Sequence, residues 1–194
     1  MLSDKAHIEE TELIQALKVG EETAYKRLFD HYSSMVYNTA LNFHSIPEDA
    51  EETTQDVFIE IFRNISSFKG DSTLKTWIYR ITITKALEKL RMLKRKKRWA
   101  FLISIDNENA AFLQNVSDTN TENETSERAM LLKQQIDKLS QNQKIAFTLH
   151  HIEGLSYTEI TAIMDISLSS VESLIFRAKS NLKKKLSTYY SNKL

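Results

Sequence analysis

Aromatic and basic side chains alternate through one stretch near the middle of the chain: Phe68 and Lys69 precede Gly70, and Lys75, Trp77, Tyr79 and Arg80 follow it. Aromatic faces stack on unpaired bases while cations track the phosphates, which is the chemistry that holds single-stranded nucleic acid. The stretch runs on into Arg91–Arg98, where six of eight residues are Lys or Arg. The same pattern also suits Trp77 and Tyr79 as core side chains above a solvated basic face, because tryptophan is usually largely buried.

A second constellation lies near the C-terminus. Ser156-Tyr157-Thr158-Glu159 and Ser169-Ser170-Val171-Glu172 each have the capping-box pattern that opens a helix. Ile160, Ile163 and Met164 give the first helix an inner face, and Val171, Leu174, Ile175, Ala178 and Leu182 give one to the second. Joined by a turn at about Asp165–Ser167, the two predict a helix-turn-helix, whose second helix enters the DNA major groove. Positions spared by the core are Ser170, Glu172, Ser173, Phe176 and Arg177. A carboxylate there accepts from cytosine N4, and a phenyl ring packs on a thymine methyl. Lys179 and Lys183–Lys185 would follow the phosphates. A plain helical hairpin with a basic tail has the same period.

Catalytic chemistry finds little support. The histidines are His7, His31, His44 and the pair His150-His151, with no spacing that would seat a metal on one helix face. No Gly-rich phosphate loop or nucleophile motif is present. The expectation is a protein that is not an enzyme and needs no cofactor. The absence of Cys points to a reducing compartment. The acidic N-terminus (Asp4, Glu9, Glu10, Glu12) is unlike a signal peptide, and the longest apolar run, about Trp99–Ile105, is too short for a bilayer. The expected location is cytoplasmic, without membrane insertion.

The elements that must carry these residues are helices. Three Gly and one Pro in 194 residues leave too few turn formers for a many-stranded sandwich or barrel. Leu13, Ile14 and Leu17 predict a helix ended by Gly20, and Tyr25, Leu28, Phe29, Tyr32, Val36 and Ala40 predict another over about 22–41. Pro47-Glu48-Asp49 starts a third, with Val57, Phe58, Ile61, Phe62 and Ile65 on its apolar side and Asp49, Glu52, Asp56 and Glu60 on another. A fourth begins at Leu74. Order returns at Ala129, with Leu132, Ile136 and Leu139 on one stripe, and a helix over 143–152 turns Ile145, Leu149 and Ile152 inward. Between the halves, Ser104–Glu127 carries Asp106, Glu108, Asp118, Glu122, Glu124 and Glu127 with no Lys or Arg. Polar and aperiodic, it reads as a linker with a few anchored apolar residues (Ile103, Ile105, Phe112, Leu113). The net charge of zero is thus a sum over basic, acidic and basic segments, the signature of parts with different partners. The fold expected is all-α: an N-terminal domain over 1–100, an acidic linker over 101–128 and a helix-turn-helix domain over 129–194.

From about Leu13 to Leu186 the sequence resembles the extracytoplasmic-function sigma factors of RNA polymerase. Four blocks carry the resemblance: Ala24–Phe29, Asp49–Phe58, Phe68–Ile81, and Glu153–Ile160 with Ile166-Ser167 and Phe176-Arg177-Ala178. The resemblance implies that Asp49, Glu52, Gln55 and Asp56 dock on the clamp coiled coil of the polymerase largest subunit. It implies that Phe68, Lys69, Trp77, Tyr79, Arg80, Thr84, Glu88 and Arg91 hold the melted −10 strand. The −35 element would fall to Ser170, Glu172, Ser173, Phe176, Arg177 and Lys179. An anti-sigma factor is a further implied partner, and the acidic linker would thread the nucleic-acid channel of the polymerase or serve as an extended tether. Thr84 and Glu88 stand where the family usually has Asn and Asp, and Glu172 and Leu174 where it usually has a basic residue and Arg. These departures imply promoter preferences of the chain's own. The competing readings are a helix-turn-helix regulator that binds duplex DNA without a polymerase, which leaves Phe68–Arg98 without a purpose, and a helical adaptor that binds only proteins.

Overall fold

A computed structural model describes residues 2–44, 46–105 and 124–191. Every regular element among the described residues is helical: α1 (Leu2–Lys18), α2 (Glu22–Leu41), α3 (Pro47–Asn64), a 3-10 turn at Ile65–Ser67, α4 (Leu74–Ile105), α5 (Glu124–Asp137), α6 (Gln141–His151), α7 (Tyr157–Met164) and α8 (Leu168–Ser191). Two compact units result, one of Met1–Leu90 with Thr158–Ile166, the other of Arg91–Tyr157 with Ser167–Leu194.

In the first unit α1 ends as the glycine predicts. Gly20 takes φ +81°, Glu21 N–H donates to the Ala16 carbonyl (3.0 Å) and Gly20 N–H to that of Leu17 (3.1 Å). A left-handed residue of this kind satisfies the last carbonyls and turns the chain, at least cost with glycine. Leu17, Leu28, Val36, Val57, Ile61, Leu74 and Ile78 then meet in one core with Tyr32 and Phe68. Burial and the nearby Glu10 carboxylate both push the Tyr32 phenol above its usual range. Pro47 opens α3 after extended Ile46, so its missing N–H costs no bond.

Ion pairs tie α4 to α3. Lys85 Nζ lies 2.9 Å from Glu60 and 3.6 Å from Glu88. Lys89, buried at 8% exposure, pairs with Asp49 at 3.6 Å and with Glu52. Burial disfavours its ammonium, yet the hydrogen bond and charge of Glu52, with those of Asp49, outweigh it and hold the group above the ordinary lysine value.

The second unit has a core of its own. Ile136, Leu139, Ala178 and Leu182 pack together with Phe147 against them. Lys144 Nζ donates to Asp137 (2.6 Å), and Asn181 on α8 donates to Gln143 on α6 (3.1 Å).

Several inward assignments from periodicity fail at the edges of the cores. Phe29, Phe62, Leu132 and Ile152 are exposed, at 50, 62, 40 and 49%. Each lies on the margin of an apolar stripe wider than the neighbouring helix covers. α4 also runs to Ile105, so Ile103 and Ile105 are helical where a linker was expected. No Gly or Pro interrupts Leu74–Ile105, and Leu, Met, Lys and Arg are good helix formers. Residues 106–123, including Phe112 and Leu113, lie outside the described residues.

Candidate nucleic-acid interface

The loop ahead of α4 is anchored at both ends. Phe68 N–H donates to the Ile65 carbonyl (3.1 Å), and its buried ring lies 5.2 Å from the partly buried Trp77 ring, centroid to centroid. At the far end Thr73 caps α4: its carbonyl accepts from Trp77 N–H (3.1 Å) and its Oγ1 from Thr76 N–H (3.2 Å). Lys69, Gly70 and Asp71 between the anchors are exposed, with Gly70 at φ +82°. The loop presents a cation and backbone donors while its aromatic neighbours serve as a floor.

The predicted −10 set therefore divides by burial. Lys69, Arg80, Thr84, Glu88 and Arg91 are exposed. Thr84 Oγ1 donates back to the Arg80 carbonyl (2.8 Å), and Glu88 pairs with Lys85. Phe68 and Tyr79 are buried at 6% and 3% exposure, with Lys75 Nζ 5.9 Å from the Tyr79 ring centroid. Neither ring offers an open face for stacking in this arrangement: Phe68 belongs to the core behind the loop, and Tyr79 is covered. Beyond them Arg91, Lys94, Arg95 and Arg98 line one groove on α4. Their spacing of three, one and three residues places four cations on one helix face.

On α8 the expected division is sharp. Val171, Ile175, Ala178 and Leu182 are buried, whereas Ser170, Glu172, Ser173, Phe176, Arg177 and Lys179 are all exposed, Phe176 to 72%. The cap differs from the sequence expectation. α8 begins at Leu168, and Ser167 rather than Ser169 accepts from an orphan amide, that of Ser170 at 3.3 Å. Ser167 and Ser170 hydroxyls also share a 2.8 Å hydrogen bond. Asp165 completes the turn at φ +53°, a conformation that short polar side chains tolerate better than most. The helix thus starts one half-turn earlier, which leaves Glu172 within its first turns.

The predicted polymerase-docking residues fall on α3, but two of them have work inside the chain: Asp49 and Glu52 are the partners of Lys89. Gln55 and Asp56 are exposed. Sequence reasoning missed that Ile59 and Phe62 continue the same helix face and are themselves exposed, at 46% and 62%. The ring of Phe62 lies 5.0 Å from that of Tyr25 at a tilt of 48°, and Phe29 lies 4.8 Å from Phe58 at 53°, making an aromatic surface beside the carboxylates. The signal was the spacing 52, 55, 56, 59, 62, hidden because Phe62 also fits the apolar stripe.

Comparison with known proteins agrees with this anatomy. The family description "Sigma-70 region 2" matches residues 28–96, and "Sigma-70, region 4" matches residues 129–182. The chain is 32% identical over 177 residues to the ECF RNA polymerase sigma-E factor of Haemophilus influenzae, covering 90% of this chain and 93% of that one. It is 30% identical over 178 residues to the sigma-E factor of Escherichia coli K12, covering 90% and 92%. Among solved structures, CnrH in complex with the cytosolic domain of CnrY gives a TM-score of 0.67 at 18% identity, covering 92% of this chain and 97% of that one. The sigma factor RpoE of Bartonella quintana, solved with the anti-sigma factor NepR, gives 0.60 at 20% identity, covering 84% and 96%. At those identities the likeness is one of fold, and the family rests on the sequence matches. The chain belongs to the extracytoplasmic-function RNA polymerase sigma factors, which bind core polymerase, direct it to particular promoters and assist their melting.

Proposed function

We propose that the work of promoter selection is divided along the chain: residues 1–100 hold polymerase and the melted −10 strand, 129–194 read the −35 element, and 101–128 join them. The observation that carries the reading is the row of exposed side chains on α8, Ser170, Glu172, Ser173, Phe176, Arg177 and Lys179, above a buried apolar stripe. A helix so divided can lie in a major groove without losing its core. For the −10 strand, the exposed members Lys69, Arg80, Thr84, Glu88 and Arg91 make the contacts. Phe68, Trp77 and Tyr79 shape the loop from beneath, and the unstacking cost of a few kcal/mol is shared with polymerase contacts.

Docking on the clamp coiled coil of the largest subunit uses Gln55 and Asp56 with the adjacent Ile59 and Phe62, and the exposed side of Glu52. Asp49 serves mainly to seat Lys89. An exposed aromatic patch of this kind suits a protein-binding surface. It is also the surface that an anti-sigma factor would have to cover. No helix among the described residues is long and apolar enough to cross a membrane. A factor that works on RNA polymerase acts in the cytoplasm, and its part is recruitment and opening rather than catalysis.

The test is transcription in vitro by purified core polymerase with this chain on a library of promoters, beside DNA binding by the chain alone. Selective initiation that requires the core supports the assignment. Tight, sequence-specific duplex binding without the core would replace it with an ordinary helix-turn-helix regulator.

A further inference from the structure

Leu74, the first residue of α4, has an amide that no turn of its own helix can satisfy. It donates at 2.7 Å to Glu10 Oε1, sixty-four residues earlier in the chain on α1. The local cap, Thr73, serves the Thr76 amide, so the helix start is held from two sides, from within the loop and from a separate helix. Glu10 also lines, with Lys18, Lys69, Ser72 and Thr73, a cavity of about 380 Å³ between α1 and the loop. A carboxylate there is favoured by the positive end of the helix dipole as well as by the hydrogen bond. The loop of Lys69–Ser72 is fixed at one end by the Phe68 amide and the ring contact with Trp77, and at the other by Thr73 and Glu10.

We propose that Glu10 is a positioning residue for promoter opening: by fastening the Leu74 amide it holds the loop of residues 68–73 in the shape that receives the melted strand. It touches no reacting atom and needs none. The inference rests on the reading of that loop as the holder of the −10 strand. Its particular content is that α1, outside every block that carries the family resemblance, sets the loop's geometry.

The experiment uses the full chain assembled with core polymerase. Promoter opening is followed by the fluorescence of 2-aminopurine within the −10 element, and core affinity by anisotropy of the labelled sigma factor. Glu10→Ala is expected to slow opening about threefold to thirtyfold, the range that loss of a helix cap represents, with core affinity within about twofold of the parent. Glu10→Gln keeps an oxygen acceptor for the Leu74 amide and should restore opening to near the parent rate. Normal opening by Glu10→Ala, equal defects in both variants, or a matching loss of core affinity would each overturn the proposal. Lys69→Ala separates the role of Glu10 from that of the loop. If Lys69→Ala slows opening while Glu10→Ala does not, only the role of Glu10 falls; if neither slows it, the reading of the loop falls with it.

Discussion

Glu172 is exposed near the start of α8, among side chains that a major groove would meet. As a carboxylate it accepts hydrogen bonds, whereas a lysine in its place donates them, so the preferred base edge inverts. Glu172→Lys is expected to change preference at one or two −35 positions and to cost about 1–3 kcal/mol at the native site. A binding screen across promoter variants measures this, and an unchanged profile would remove Glu172 from the reading set. His151 offers a different residue-scale test. Although the residue is exposed, partial desolvation, with the charges of Lys179 and His150, lowers its pKa below the usual 6.5, and its ring lies 4.7 Å from that of Phe147 at a tilt of 45°. The native state therefore binds the proton less readily than the unfolded chain. The resulting stability is complete above about pH 6.5 and fades as pH falls toward the lowered value. Chemical unfolding at a series of pH values should show this decline, and His151→Asn should flatten it.

At the scale of elements, two fastenings decide where the binding helices sit. Lys89 joins α4 to α3 through Asp49 and Glu52, and its loss would leave Asp49, itself largely covered, without its counter-charge. Lys89→Ala should destabilise the chain by about 1–3 kcal/mol. Glu52→Gln, at an exposed position, should cost under about 1 kcal/mol. Denaturant titration of both variants distinguishes a seating lysine from an incidental surface pair. For α8, Ser167→Ala should remove about 1 kcal/mol through loss of the cap, while Ser169→Ala should be nearly neutral. The reverse order in thermal unfolding would return the cap to Ser169.

The whole molecule is electrically neutral yet strongly divided. Arg91, Lys94, Arg95 and Arg98 form one cationic face on α4, and Lys179 and Lys183, four residues apart, share one side of α8, with Lys184 and Lys185 exposed beside them. Each cation that neutralises a phosphate releases a counterion, so promoter affinity of the holoenzyme should fall steeply and log-linearly with salt. Lys179→Ala should weaken binding evenly across promoter sequences and reduce the slope by about 1. An unchanged slope would place Lys179 away from the phosphates.

Much of this was legible in the chain alone. The order of helices, the α2 span Glu22–Leu41, the Pro47 start, the glycine stop at Gly20 and the outward row on α8 follow from period and capping chemistry, which act over four residues or fewer. Local rules could not reach choices made between elements. Phe62 and Phe68 are alike in sequence, yet one is exposed and the other buried, because a neighbouring helix covers only one of them. Nor could spacing reveal that Asp49 and Glu52 are engaged by Lys89, or that Glu10 secures the Leu74 amide. Such pairings depend on which surfaces the packed core brings within hydrogen-bond range, a property of three-dimensional contact with no signature in local periodicity.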